Sequence, residues 1–111
     1  MFISIEDFLR QIPGGVQVNG QETAFPISET PKILDIASKN QWIILGGDVL
    51  TMQGEYALAN WYYEPKAECP LSENANQSIE KSRAFISDYV KRNGSDWLVV
   101  FVISNSYVAG G

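Results

Sequence analysis

Residues 42–65, WIILGGDVLTMQGEYALANWYYEP, constrain the fold more than any other stretch, because two strand-like runs meet at a turn signal. Trp42 to Thr51 is largely apolar, Gln53-Gly54 supplies the turn, and Glu55 to Tyr63 is rich in aromatic residues. Such a pair predicts a β-hairpin. Successive side chains alternate along a strand, so Ala57, Ala59, Trp61 and Tyr63 share one face while Tyr56, Leu58, Asn60 and Tyr62 share the other. Alanines suit the close approach of a helix, so the first face is expected inward and the tyrosine face partly outward. Gly46 and Gly47 inside the first run predict a bulge or a close backbone approach, with Asp48 pointing outward or bonding the freed N–H groups.

Around this hairpin the chain carries three helical signals. Ser4 is placed to cap a helix whose stripe is Ile5, Phe8, Leu9 and Ile12, and Pro13-Gly14-Gly15 stops it. Thr30-Pro31 reads as an N-cap with proline at the first helical position, predicting a second helix over Pro31 to Lys39 closed by Asn40. Ser72 is placed to cap a long third helix with Ala75, Ile79, Ser82, Ile86 and Val90 on one stripe, ended by Asn93-Gly94. Val16 to Val18 before Asn19-Gly20 predicts a short strand, and the segment around Phe25-Pro26 reads as loop. Trp97 to Ser104 is apolar on both faces, as a central strand would be, and a polar tail ends the chain. The order predicts one α+β domain over residues 1–111. Its sheet should be mostly antiparallel, with three to four strands and helices packed on one side.

Charge and composition then narrow the function. Thirteen acids face eight bases, and between Glu22 and Glu80 nine acids face three bases. A surface of that sign repels phosphates, so neither a nucleic acid nor an anionic membrane is the expected partner. A basic protein fits it better, although simple solubility explains the same imbalance. The single cysteine, Cys69, cannot close an internal disulfide, and MFISIEDFLRQ lacks the basic start and apolar core of a secretory signal; both point to a reducing cytosol.

Chemistry is poorly provided for. With no histidine, imidazole base catalysis and histidine metal ligation are excluded, and Cys69 lacks cationic neighbours that would activate its thiol. No metal-ligand spacing and no cofactor motif is present. Gly46-Gly47-Asp48 lacks the lysine and helix start of a phosphate loop. Asp48 and Glu55, on opposite strands, leave a carboxylate-dependent hydrolase as one alternative. A small-molecule or peptide-binding module lined by Trp61 and Tyr63 is another. Tyrosine and tryptophan beside carboxylates are also the composition of protein-interface hot spots. On that reading Asp48, Glu55 and Glu64 pair with basic residues of a partner, while Tyr56, Tyr62 and Trp61 supply the desolvated centre.

GGDV at Gly46 to Val49, followed by NWYYEP at Asn60 to Pro65, resembles the immunity protein 40 family of small bacterial proteins. The likeness extends more loosely from Pro31 to Ser104. It implies a cytosolic, non-enzymatic antidote encoded beside a polymorphic toxin, binding the toxin domain until export. Such toxins are commonly nucleases with basic grooves, which the acidic middle of the chain would complement. The positions carrying the resemblance are Gly46, Gly47, Asp48, Asn60, Trp61, Tyr62 and Pro65.

Overall fold

The computed structural model describes residues 4–20 and 22–104, so the tail beyond Ser104 lies outside the described residues. The elements run α1 (Ile5–Arg10), β1 (Val16–Val18), β2 (Glu22–Pro26), α2 (Thr30–Asn40), β3 (Ile43–Leu50), β4 (Tyr56–Tyr62), α3 (Leu71–Asn93) and β5 (Leu98–Ser104), with a 3-10 turn at Ile27–Glu29. The strands form one sheet in the order β1-β2-β5-β3-β4, each neighbour antiparallel. The α+β class and the antiparallel sheet agree with the expectation; the strand count, five, exceeds it.

The extra strand is β2, in a segment where the sequence predicts loop. Thr23, Ala24 and Phe25 are buried between β1 and β5, and the proline that argued against a strand sits at its last position. A terminal proline removes no ladder bond, and Ile27 next to it donates its N–H to the Trp97 carbonyl at 3.1 Å. Central placement of β5 is as expected, and it is covered on both faces over Leu98 to Phe101.

Helix ends differ from the sequence reading in their chemistry. Ser4 does accept the Asp7 N–H at 3.1 Å, capping α1. Thr30, expected as a cap, instead donates its hydroxyl to the Ile27 carbonyl at 2.7 Å, because the chain enters α2 through the 3-10 turn. Gln41, in a left-handed conformation, closes α2 one residue past Asn40. Pro70 rather than Ser72 precedes α3, which ends as predicted at Gly94. Among the described residues, no helix is long and apolar enough to cross a membrane.

All three helices pack on one face of the sheet. Ile5 and Leu9 of α1, Ile33 and Leu34 of α2, and Ile79 and Ile86 of α3 join Phe25, Ile44, Trp61, Val99 and Phe101 in the main core. The opposite face has no helix. Half of it is closed by the sheet's own curl, which brings the tips of the two hairpins together: Val18 sits against Gly54, and the Tyr56 hydroxyl donates to Glu22 at 3.2 Å. Beneath that contact Val18, Ala24, Leu50, Leu98 and Val100 form a second, smaller core. The other half, around Gly46, Asp48, Asn60, Tyr62 and Val102, stays open.

Candidate partner-binding face

The β3–β4 hairpin positions Asp48, Glu55, Tyr56, Trp61 and Tyr62, and Glu64 follows it directly. Its turn is a three-residue loop, Met52–Gly54, in which Thr51 donates to the Glu55 carbonyl at 2.7 Å and Gly54 to the Thr51 carbonyl at 2.9 Å. Gly54 has φ +88, the left-handed position such loops require. The glycine pair is explained by close approach. A Cβ on Gly46 would lie 2.9 Å from the Tyr62 Cα, and one on Gly47 would meet both the Trp61 indole and the Val100 carbonyl oxygen, the latter at 2.7 Å. The expected bulge is present, as a register shift between Ile44 and Gly46 against β5.

The bulge turns the Ile44 N–H toward α3, where the Ser78 hydroxyl accepts it at 2.9 Å. Ser78 belongs to a buried polar row, Asn74, Ser78 and Ser82, spaced one helical turn apart on α3. The Ser82 hydroxyl accepts the Trp61 indole N–H at 3.0 Å. The Asn74 side-chain oxygen accepts the Tyr63 hydroxyl at 2.7 Å and the Lys66 N–H at 2.9 Å, while its amide donates to the Lys66 and Cys69 carbonyls. Three side chains thus fix the bulge, the tryptophan and the loop after β4. Trp61 is also stacked on Phe85 at 4.9 Å between ring centres and lies edge-on to Phe101.

Trp61 is therefore a core residue, 6 % exposed, and is withdrawn from the set open to a partner. Its expected role failed because one strand face cannot be both inward against α3 and outward. Tyr56 and Tyr62 do face out, 52 % and 73 % exposed, and Asn60 lies between them on the same side as Asp48, its cross-strand neighbour. Glu55 and Glu64 are exposed just before and just after β4, so the acids are strung along the strand. Asp48 and Glu55 do not form a cross-strand pair, since Asp48 opposes Asn60 and Leu50 opposes Tyr56. The two carboxylates on which the hydrolase alternative rests are thus not in direct cross-strand opposition. Trp61 and Tyr63 are packed against α3 instead of ringing a cavity, which likewise leaves the small-molecule module without its lining. Clefts elsewhere are small, about 130 Å³ between α1, β2 and β5 and about 270 Å³ between α2 and α3.

Electrostatics separate this face from the helices. Each of the five ion pairs among the described residues joins side chains three or four residues apart: Asp7–Arg10, Glu29–Lys32, Asp35–Lys39, Glu80–Arg83 and Asp88–Arg92. Of thirteen acids and eight bases, the remaining eight acids face three bases, and Asp48, Glu55 and Glu64 are among the unpaired acids. The Glu22 carboxylate pushes the Tyr56 hydroxyl above the ordinary phenol range, helped by partial desolvation, and Asp48 acts in the same direction. Lys81 of α3 is the opposing charge, 5.6 Å from the Tyr62 ring centre. The Cys69 thiol is pushed up by desolvation and by Glu73, the reverse of what a nucleophile needs. No group of three or more acidic or cysteine side chains is placed to hold a metal among the described residues.

Two participants escaped the sequence reading. Glu22 opens β2, a segment where the sequence predicts loop. Leu58 was assigned only to the outward face, whereas a register slip of β4 between Val49 and Leu50 leaves it 96 % exposed at φ +58. No hydropathy pattern signals that slip.

Residues 14–103 match the family model for immunity protein 40. The chain belongs to the immunity protein 40 family. The match covers the whole β3–β4 hairpin with α2, α3 and the strands around them, and begins well before the stretch that carried the resemblance. Neither a curated protein nor a solved structure matches the chain. Membership of the immunity protein 40 family makes the chain an immunity protein, which implies a toxin as its partner. Of the seven positions that carried the resemblance, Gly46, Gly47 and Trp61 serve the packing described above. Asp48, Asn60 and Tyr62 form a surface group on the open side.

Proposed function

We propose that the chain neutralises a cognate toxin domain in the cytosol, by binding alone, through the open side of the β3–β4 hairpin. Asp48, Glu55 and Glu64 pair with lysines or arginines of the toxin, and Tyr56 and Tyr62 supply the area that is dried on contact. A toxin with a basic groove, such as a nuclease, suits this arrangement. The single observation that supports the reading is that Tyr56 and Tyr62 are exposed on a hairpin whose acids, Asp48 within it and Glu55 and Glu64 at the ends of β4, form no ion pair among the described residues, whereas all five ion pairs join neighbours along or beside a helix.

The test is the double variant Asp48→Lys with Glu55→Lys, titrated against the toxin domain encoded by the neighbouring gene. Affinity should fall by about 100-fold, in line with reversing two charges that face a complementary surface. The melting temperature should not move. Unchanged affinity would exclude the hairpin as the docking face.

A further inference from the structure

Leu58 stands where neither packing nor backbone geometry favours a leucine. At 96 % exposure it is the most solvent-accessible large apolar side chain of the described residues. It therefore contributes almost nothing to the core. Its φ of +58 belongs to the left-handed region, which a bulky side chain occupies with strain and which glycine or asparagine would fill without it. The strand supports this conformation by slipping: Val49 opposes Ala59 and Leu50 opposes Tyr56, so Ala57 and Leu58 have no partners on β3. A strained, unpartnered side chain held in water is a reason to look for something it touches outside the chain.

Its surroundings say what that something is. Leu58 lies between Tyr56 and Tyr62 on a strand that carries no charge of its own, at the edge of the sheet. Glu55 and Glu64 stand beyond its two ends, neither in an ion pair among the described residues. An apolar centre inside an acidic rim is the anatomy of a docking surface, and its complement is an apolar pocket bordered by lysine or arginine. We infer that Leu58 is the anchor of the proposed toxin contact, presented by the β4 bulge for insertion into such a pocket. This rests on the immunity reading above and adds the residue on which affinity turns.

The anchor hypothesis makes stability and affinity move in opposite directions. Leu58→Gly should relieve the left-handed strain and raise the melting temperature by about 4 °C. It should also weaken binding to the toxin domain of the neighbouring gene by about 30-fold, the signature of a hot spot. Leu58→Met should keep affinity within about threefold of the parent, because an unbranched apolar side chain adapts to the same pocket. If the parent binds the toxin domain and Leu58→Gly binds equally well, the anchor falls while the immunity reading stands. If the parent fails to bind that domain, both fall. A melting temperature lowered by the glycine would overturn the strain argument. A parent dimer in light scattering that Leu58→Asp dissolves would assign the leucine to self-association instead.

Discussion

Toward α3, the β3–β4 hairpin meets a matched set of polar partners, with Ser78 on the Ile44 amide, Ser82 on the Trp61 indole and Asn74 on Tyr63 and the following loop. On its outward side, the same hairpin shows Asp48 with no hydrogen bond or ion pair among the described residues, and two exposed tyrosines, Tyr56 donating to Glu22 and Tyr62 with Lys81 over its ring. No buried side-chain polar atom lacks a hydrogen-bond partner among the described residues. The difference separates the side chains that carry stability from those to which recognition is assigned in the proposal. Side chains on the inner face hold the strands to α3, and Leu50 and Val100 are buried in the smaller core at the closed end of the outer face, whereas Asp48, Leu58, Asn60 and Tyr62 lie outside both cores.

Substitutions should therefore sort by face, and the largest effects belong inside. Trp61→Ala should lower stability by about 4 kcal/mol in urea unfolding, since it removes a stacked indole and leaves the Ser82 hydroxyl oxygen without the N–H it accepts. Gly46→Ala should cost about 3 kcal/mol, because the added methyl meets β4 backbone that cannot step aside. Asn74→Ala should cost about 2 kcal/mol by removing at once its hydrogen bonds to the Tyr63 hydroxyl and to the Lys66 N–H and carbonyl. On the outer face Tyr62→Ala should change stability by less than about 0.5 kcal/mol while weakening toxin binding. A large loss of stability there would break the comparison.

The smallest effect is a titration. The folded protein holds the Tyr56 hydroxyl above its ordinary value of 10.0, chiefly through Glu22. A group raised in the folded state contributes stability that is present below its unfolded value and lost as pH rises through the folded one. The hairpin-tip contact should therefore weaken only above about pH 10. Glu22→Gln should bring the Tyr56 absorbance transition back toward the ordinary phenol range, and an unmoved transition would show that the tips are not in contact.

Much of this architecture was legible because local signals agreed. The hairpin, its glycine bulge, the long α3 stripe and the central β5 all follow from periodicity and turn chemistry. β2 was hidden because a five-residue strand ending in proline has too short a pattern to outweigh its breaker, and only pairing with β1 and β5 reveals it. Thr30 carried the composition of a cap, yet the preceding 3-10 turn redirected its hydroxyl. On the candidate face, alternation correctly separated Tyr56 and Tyr62 from Trp61. The slip that exposes Leu58 depends on a two-residue mismatch between strands, which a single strand's sequence does not encode.

The small hydroxyls of Ser78 and Ser82 carry a consequence for adaptability. Because they grip main-chain and indole atoms, the anchoring of the hairpin to α3 makes no demand on Asp48, Leu58, Asn60 or Tyr62. A lineage could rewrite Asp48, Leu58, Asn60 and Tyr62 to follow a changing adversary while the scaffold beneath stays as it is. The proposed docking surface would also arrive already shaped, so that little ordering entropy is lost when it meets its target.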